Sequence, residues 1–425
     1  MIILIITALV SLGLLILAFR SYRRKRLVDD TPTSKTQGVF LGMSELKGAA
    51  ESDSPLKSYL AGVKCVYYKW KIEEHWSRWT TDSKGRVHKE SGWTNVANGT
   101  EFEPFYLKDE SGLIQVNPEG ASVTCKETLE ETCTESDPLY FGKGPAEEIL
   151  NSDHRRRFHE SALPLHVQLY VMGQARERQD VVAAEIAKDK SAPMFLISTK
   201  TEKQISRSFG IFFWLWLVLG LLVAGGGVFA LQVTQGNTSG YFSEGVIIAA
   251  VAYLFAAGLG WLWTVYNSLI VLRQRVKQGW SQVDVEIKRR HDLIPNLVKA
   301  VEGYRSHEQV TQTLVTELRT QAFATAPGVA GPDYKGLLPL LKATMEQYPE
   351  LKSNELFLGL QKSLTETEQR IALARDYFND VATYYNTRLQ IIPDRFVAWM
   401  AYMKPELLLS ASEFERALVQ VKLAE

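Results

Sequence analysis

YNSLIVLRQRVKQGWSQVDVEIKRRHDLIPNLVKAVEGYRSHE, residues 266–308, decides the architecture of this chain. It opens as the last turns of an apolar run and continues at helical spacing with no obvious stop. A membrane-length segment therefore runs directly into a soluble helix. Leu269, Leu272, Val276, Trp280, Val283, Val285 and Ile287 form a broad apolar stripe. One helix cannot bury such a stripe alone, so further helices must pack on it. Pro295 removes a backbone donor and clashes one turn back, which predicts a kink there or a restart near Asp292.

Working upstream, residues 245–265 and 211–233 are two apolar spans, and residues 2–19 are a third, within an N-terminal anchor over 1–20. No charge precedes the first run, and Arg20, Arg23, Arg24, Lys25 and Arg26 follow it. That is the reverse of a cleaved secretory signal and describes an uncleaved anchor. The connector between the second and third spans has no Lys or Arg, whereas Lys200, Lys203 and Arg207 precede the pair and Arg273, Arg275 and Lys277 follow it. All three spans give one topology by the positive-inside rule: N-terminus out, residues 38–200 in, short loop out, residues 266–425 in. No span contains a charge, which argues against an ion pathway. Gly220 and Ala224, and Ala252, Ala256 and Gly260, have the four-residue spacing that lets helices approach closely.

Residues 38–200 read as β. CVYYKWKIEEHW (65–76) alternates and is rich in aromatics, DSKGR (82–86) supplies a turn, and a hairpin partner falls near 92–96. Residues 104–123 read as strand, turn, strand, with Asp109 and Gly112 at the turn. Residues 165–177 read as a strand pair broken at Gly173, and 194–198 as a last short strand. HRRRFHE (154–160) is basic and reads as a solvated helix face, with a face toward phosphates or lipid headgroups as the alternative.

Downstream, residues 313–323, 334–348 and 353–390 are helical, with a Pro- and Gly-containing loop at 324–333. Ser353 or Asn354 can cap the long helix, whose apolar positions include Leu356, Leu360, Leu364, Ile371, Ala374, Phe378 and Val381. Residues 396–409, with Trp399, are apolar on almost all sides and too short to span. They face a core, lipid or a neighbouring subunit.

The formal net charge is zero, so nothing global points to nucleic acid. Three cysteines are neither a disulfide framework nor a four-cysteine zinc site, and none of the seven histidines sits at finger-like spacing from a Cys pair. Cys125 and Cys133 are expected as ordinary strand and loop residues. No phosphate loop, serine-nucleophile elbow or dinucleotide fingerprint occurs. His291–Asp292 and His307–Glu308 lack metal-ligand spacing, so Asp292 is expected to cap the helix restarted before Pro295. Lys288, Arg289 and Arg290 are expected to pair with Glu368 or Asp376, or with a neighbouring subunit. Arg370 and Arg375 are expected to pair with Asp284 or Glu286. Together with Trp280, Pro295, Asn296, Asn379 and Trp399, these are candidate structural or interaction residues. No catalytic, cofactor or metal site is assigned.

Two resemblances follow from longer stretches. GWSQVDVEIKRRHDLIPNLV (279–298), YPELKSNELFLGLQ (348–361) and TEQRIALARDYFNDV (367–381), with YN at 266–267 and 385–386, HE at 307–308 and Pro393, resemble the LemA family. The resemblance implies a membrane-anchored antiparallel helical bundle and no defined activity. CVYY (65–68), PFYLKDESGLIQVNPEGA (104–121), YVMG (170–173) and FLIS (195–198) are similar to the GIDE domain, a β domain found beside the membrane in MULAN-type ubiquitin ligases. Their catalysis needs a RING finger with about eight Cys and His ligands, which this chain cannot supply. The combined expectation is a multi-domain membrane protein with three transmembrane helices, a mainly β domain and an all-α bundle. It is a multi-pass bacterial inner-membrane, non-enzymatic scaffold, self-associating and partnered by the bilayer and other membrane proteins. The alternative is a ligase-like enzyme or adaptor.

Overall fold

The computed structural model describes residues 2–39, 42–178, 184–190, 192–234, 244–302 and 355–409, with only the backbone at 2, 291, 294–302, 355–357 and 360. In order they form α1 (Ile2–Asp29), β1 (Gly42–Glu51), β2 (Leu56–Lys57), β3 (Lys64–Thr81), β4 (Val87–Phe102), β5 (Phe105–Lys108), β6 (Leu113–Val116), β7 (Ser122–Thr124) and β8 (Lys126–Thr134). There follow α2 (Pro138–Gly142), β9 (Ser152–Pro164), β10 (Gln168–Glu177), β11 (Ala184–Ala187), β12 (Leu196–Ser198), α3 (Glu202–Thr234), α4 (Glu244–Glu302), α5 (Glu355–Gln390) and α6 (Asp394–Met400). The chain divides into two compact units, Thr33–Gln204 and Met1–Pro32 with Ile205–Glu425. The expected segments 313–323, 324–333 and 334–348, the cap at Ser353 or Asn354, and His307–Glu308 lie outside the described residues.

In the β unit, β1, β5, β6, β11 and β10 close on themselves, because β10 pairs with β1 as well as with β11; β12 and β7 extend the sheet from β10. Leu46, Phe105, Leu107, Val116, Val171 and Ile186 fill this barrel-like core. A second sheet carries β2, β3, β9 and β8, with β4 on the other flank of β3. The hairpin runs well beyond its expected ends, to Thr81 and from Val87 to Phe102. Its turn is set by Asp82, whose carboxylate accepts the N–H groups of Lys84 and Arg86 at 2.9 Å, and by Gly85 at φ +76°.

Two expectations fail here. β10 passes through Gly173 without a break; the glycine serves close packing, since a Cβ would lie 2.7 Å from the Phe195 ring and 2.8 Å from Ile186. Residues 154–160 are a strand within β9, where alternation buries Arg156, Phe158 and Glu160 and leaves the others outward. The three cysteines are free thiols, with Cys133 buried on β8 and Cys125 between β7 and β8.

In the helical unit, α1, α3 and α4 each contain a segment long and apolar enough to cross a membrane. They pack through Leu15, Tyr253 and Ala257, joined by Phe19, Leu217, Leu221 and Ala224. Gly220 admits the Tyr253 ring, whose hydroxyl donates to the Leu217 carbonyl at 3.0 Å, and Gly260 admits Phe19 of α1. α4 is one helix of 59 residues, roughly 90 Å long. It passes through positions 295 and 296 without a restart, so Asp292, exposed on its flank, caps nothing. α5 packs antiparallel to it, with Trp280 edge-on to Phe378 at 5.9 Å and Gly279 against the Phe378 backbone. The α4 stripe is narrower than expected: Val285 is 54% exposed, and Leu272, Val276, Val283 and Ile287 carry the buried face.

Asp109 shows how a single turn is stabilised. Its carboxylate accepts hydrogen bonds from Thr36 N–H (2.8 Å) and Oγ1 (2.6 Å), from Ser111 N–H (2.7 Å) and from Gly112 N–H (3.0 Å). Burial pushes its pKa up, but the Ser111 and Thr36 donors outweigh it and bring the value down to about 2. A carboxyl lowered in the folded state adds stability above its unfolded pKa and loses it as pH falls through the folded one. Asp109→Asn should therefore lower the melting temperature of the full chain near neutral pH. The gap to the native chain should close between about pH 4 and about pH 2, as followed by near-ultraviolet circular dichroism.

Candidate functional site

Four segments of the helical unit meet in a buried charge network where α1 leaves its apolar run. Arg26, one turn beyond Tyr22, donates from both terminal nitrogens to Asp394, at 2.6 and 2.7 Å, and from Nε and Nη2 to the Tyr22 hydroxyl. Asp394 opens α6, so its charge also faces the positive end of that helix. Asp30, at the end of α1, accepts from Arg388 of α5 at 2.7 Å and from Ser268 of α4 at 2.7 Å. Arg388 also reaches Asp394 at 3.4 Å, and Arg275 of α4 donates to Thr31 Oγ1 at 2.5 Å. The side chains of Arg26, Asp394 and Asp30 are almost wholly withdrawn from solvent. Fork-to-fork geometry of this kind fixes orientation as well as distance.

Further along α4 and α5, two of the expected pairings are present. Arg290, fully buried, meets Glu368 at 3.3 Å, and Arg370 meets Glu286 at 2.8 Å. Lys288 and Arg289 are exposed, and Arg375 is buried on α5. Asn379 is bound to the segment after α6: its amide accepts the Leu409 N–H at 2.8 Å and donates to the Leu409 carbonyl at 3.1 Å. Asn386, two turns on, holds Glu406 in the same way at 2.9 and 2.8 Å. Side-chain amides thus supply the peptide partners that a neighbouring strand would otherwise provide. Trp399 stands 76% exposed on α6.

The β unit has its own buried pair. Arg156 donates to Glu74 at 2.9 Å and to the carbonyls of Tyr140, Pro145 and Glu147, with its cation 4.1 Å from the centre of the Tyr140 ring. It thereby fixes the segment from α2 to β9. Glu135, Glu148 and His154 bring ligand-type atoms within 4.8 Å of one another, all on exposed residues. Their geometry is that of an ion pair: the hydrogen bond from His154 to Glu148 raises the imidazole pKa, and it lowers that of Glu148, which the Tyr140 hydroxyl lowers further.

These features define a class: a chain with three membrane-length apolar helices, a barrel-like β unit and a helical unit locked by buried ion pairs. The LemA family model matches residues 279–423, and the GIDE model, described as E3 ubiquitin ligase, matches residues 75–229. Protein LemA of Metamycoplasma hominis is 23% identical over 155 residues, covering 35% of this chain and 71% of that protein. Magnetosome protein MamQ 2 of Paramagnetospirillum magneticum is 25% identical over 171 residues, 33% of this chain and 62% of its own length. MamQ of Magnetospirillum gryphiswaldense is 24% identical over 169 residues, with the same coverage. The LemA match thus falls on the C-terminal region, from within α4 onward, and the GIDE match starts within β3 and ends within α3.

Removing one member of a buried pair leaves the other charge uncompensated, at a cost of about 3–5 kcal/mol, whereas replacing both by apolar groups is far cheaper. Arg26→Met alone, or Asp394→Leu alone, should therefore destabilise the helical unit strongly. The double substitution should recover most of the loss, measured as a double-mutant cycle of chemical unfolding in detergent.

Proposed function

We propose that this chain is a membrane-embedded, non-catalytic scaffold of the LemA family that self-associates in the plane of an inner membrane. In this reading α1, α3 and α4 span the bilayer, and residues 38–200 and the chain from 266 onward lie on its cytoplasmic side, as the flanking Lys and Arg residues favour. The observation that carries it is the unbroken helix α4, which takes a span directly into the face that packs on α5. A helix without a joint cannot swivel, so the bundle keeps one orientation to the membrane plane and presents the same surfaces from copy to copy. The magnetosome proteins among the relatives support a role on a membrane surface. Sizing in mild detergent tests self-association: species at multiples of the 47.9 kDa chain are expected, and a strictly monomeric chain at micromolar concentration overturns the scaffold.

The GIDE match favours a second reading, a ligase-like enzyme or adaptor acting with a partner. A RING mechanism requires bound zinc. Metal analysis of the purified chain is expected to give substoichiometric zinc, and a stoichiometric content would favour the ligase reading instead.

A further inference from the structure

The corner between α5 and α6 has two faces. Val397 and Ala398 are buried against Val265 and Leu269 of α4, in a cluster that also takes in Tyr22 of α1 and Trp261 and Leu262 of α4. Trp261 and Leu262 lie in the last turns of the apolar segment 245–265 and Tyr22 in the turn after 2–19, so the contact fixes the corner near the height where those segments end. The opposite face is bare: Ile392, Phe396 and Met400 are exposed, Trp399 is 76% exposed and Tyr402 90% exposed. Arg395 and Lys404 are exposed among them. Arg20, Arg23 and Arg24 are exposed on α1 on either side of Tyr22. An apolar groove lined by Phe19, Tyr22, Phe213, Trp214 and Trp261 shares Tyr22 and Trp261 with the cluster that seats the corner.

We infer that residues 391–402 form an interfacial wedge whose outward side chains sit in the headgroup and upper acyl region of the bilayer. Three physical points support lipid as the occupant. An exposed apolar face of this size is costly in water. Aromatic rings with polar edges, interleaved with Lys and Arg, are the chemistry of the membrane interface, where the ring lies among glycerol groups and the cation reaches phosphate. The height is set by the packing of Val397 and Ala398 on a helix continuous with an apolar segment, so no separate recruitment step is needed. The wedge would also place Arg26–Asp394 and Asp30–Arg388 just below the headgroups, with the α5–α6 corner held against tilting.

The inference rests on the spanning reading of α1, α3 and α4, and the test separates the two. Nitroxide labels are placed at exposed positions in the full-length protein reconstituted in anionic phospholipid vesicles: Trp399→Cys, Tyr402→Cys, Leu215→Cys on α3 as the acyl reference, and Gln369→Cys as the aqueous reference. Gln369 lies about 30 Å back along α5 from the corner. The unsubstituted chain, whose native thiols are buried or half-buried, gives the background. Collision rates with oxygen and with a water-soluble nickel chelate give depth. Labels at 399 and 402 are expected about 5–10 Å inside the phosphates, between the two references. Values at 399 and 402 equal to that at 369, with 215 deep in lipid, overturn the wedge alone. Protection from both reagents with spin–spin broadening assigns the face to a second copy and likewise overturns it. An aqueous value at 215 overturns the spanning reading and the wedge together.

Discussion

Arg26 and Asp394 are separated by 368 positions in the chain and by 2.6 Å in the fold. Much else in the helical unit depends on that contact. An arginine at the end of an apolar helix has two low-energy outcomes, water or a matched carboxylate. Here the chain supplies the carboxylate from the far end of its described sequence and then repeats the arrangement with Asp30 and Arg388. α1 therefore does more than supply an apolar segment. Its last turn is a component of the fold around α4, α5 and α6, and truncating it would leave Asp394 and Arg388 with only their longer 3.4 Å contact to each other.

The continuity of α4 follows from a related balance. Proline at position 295 costs a hydrogen bond and a steric clash, on the order of 3 kcal/mol. Ending the helix there would instead forfeit propagation on both sides and require a fresh, unfavourable nucleation. Upstream of the proline, Arg290 and Glu286 are already pinned to α5 by Glu368 and Arg370, so the helix enters that position with its direction fixed. A rule that reads proline as a stop is a local rule, and the packing with α5 is not local.

The same distinction explains what could be read in advance. The helix-period stripe of α4 and α5 and the alternation of β3 are local periodicities, and each gave the right element from residues a few places apart. The Arg290–Glu368 and Arg370–Glu286 pairs were legible because both helices have clear periodicity and carry opposite charges on the faces that meet. The network around Asp394 was not, because Arg26 looks like any other member of the basic flank Arg20–Arg26. Nothing near it in sequence says that it turns inward while Arg24 turns out. The run HRRRFHE failed for another reason. Composition suggested a solvated face, but a strand sends neighbours to opposite sides, and Arg156 is buried because Glu74 and three carbonyls wait for it. Val285 was assigned to the apolar stripe by type; its angular position puts it outside.

What these ion pairs do with their charge bears on what kind of function the chain can have. Reaction centres keep a coordination or hydrogen-bonding position open for substrate. Arg26, Asp30, Asp394, Arg156 and Glu74 are the opposite case. Each is buried and each spends hydrogen bonds on partners within the same fold, which rigidifies that fold. Among the described residues, exposed groups include Lys288 and Arg289 along α4, the bare aromatic corner beside the apolar segments, and much of the long hairpin of β3 and β4. Buried charges used in this way hold the surfaces of the helical and β units in fixed internal geometry. That rigidity is the physical content of the proposed scaffold, and under that proposal the surfaces are where contacts to other molecules would form.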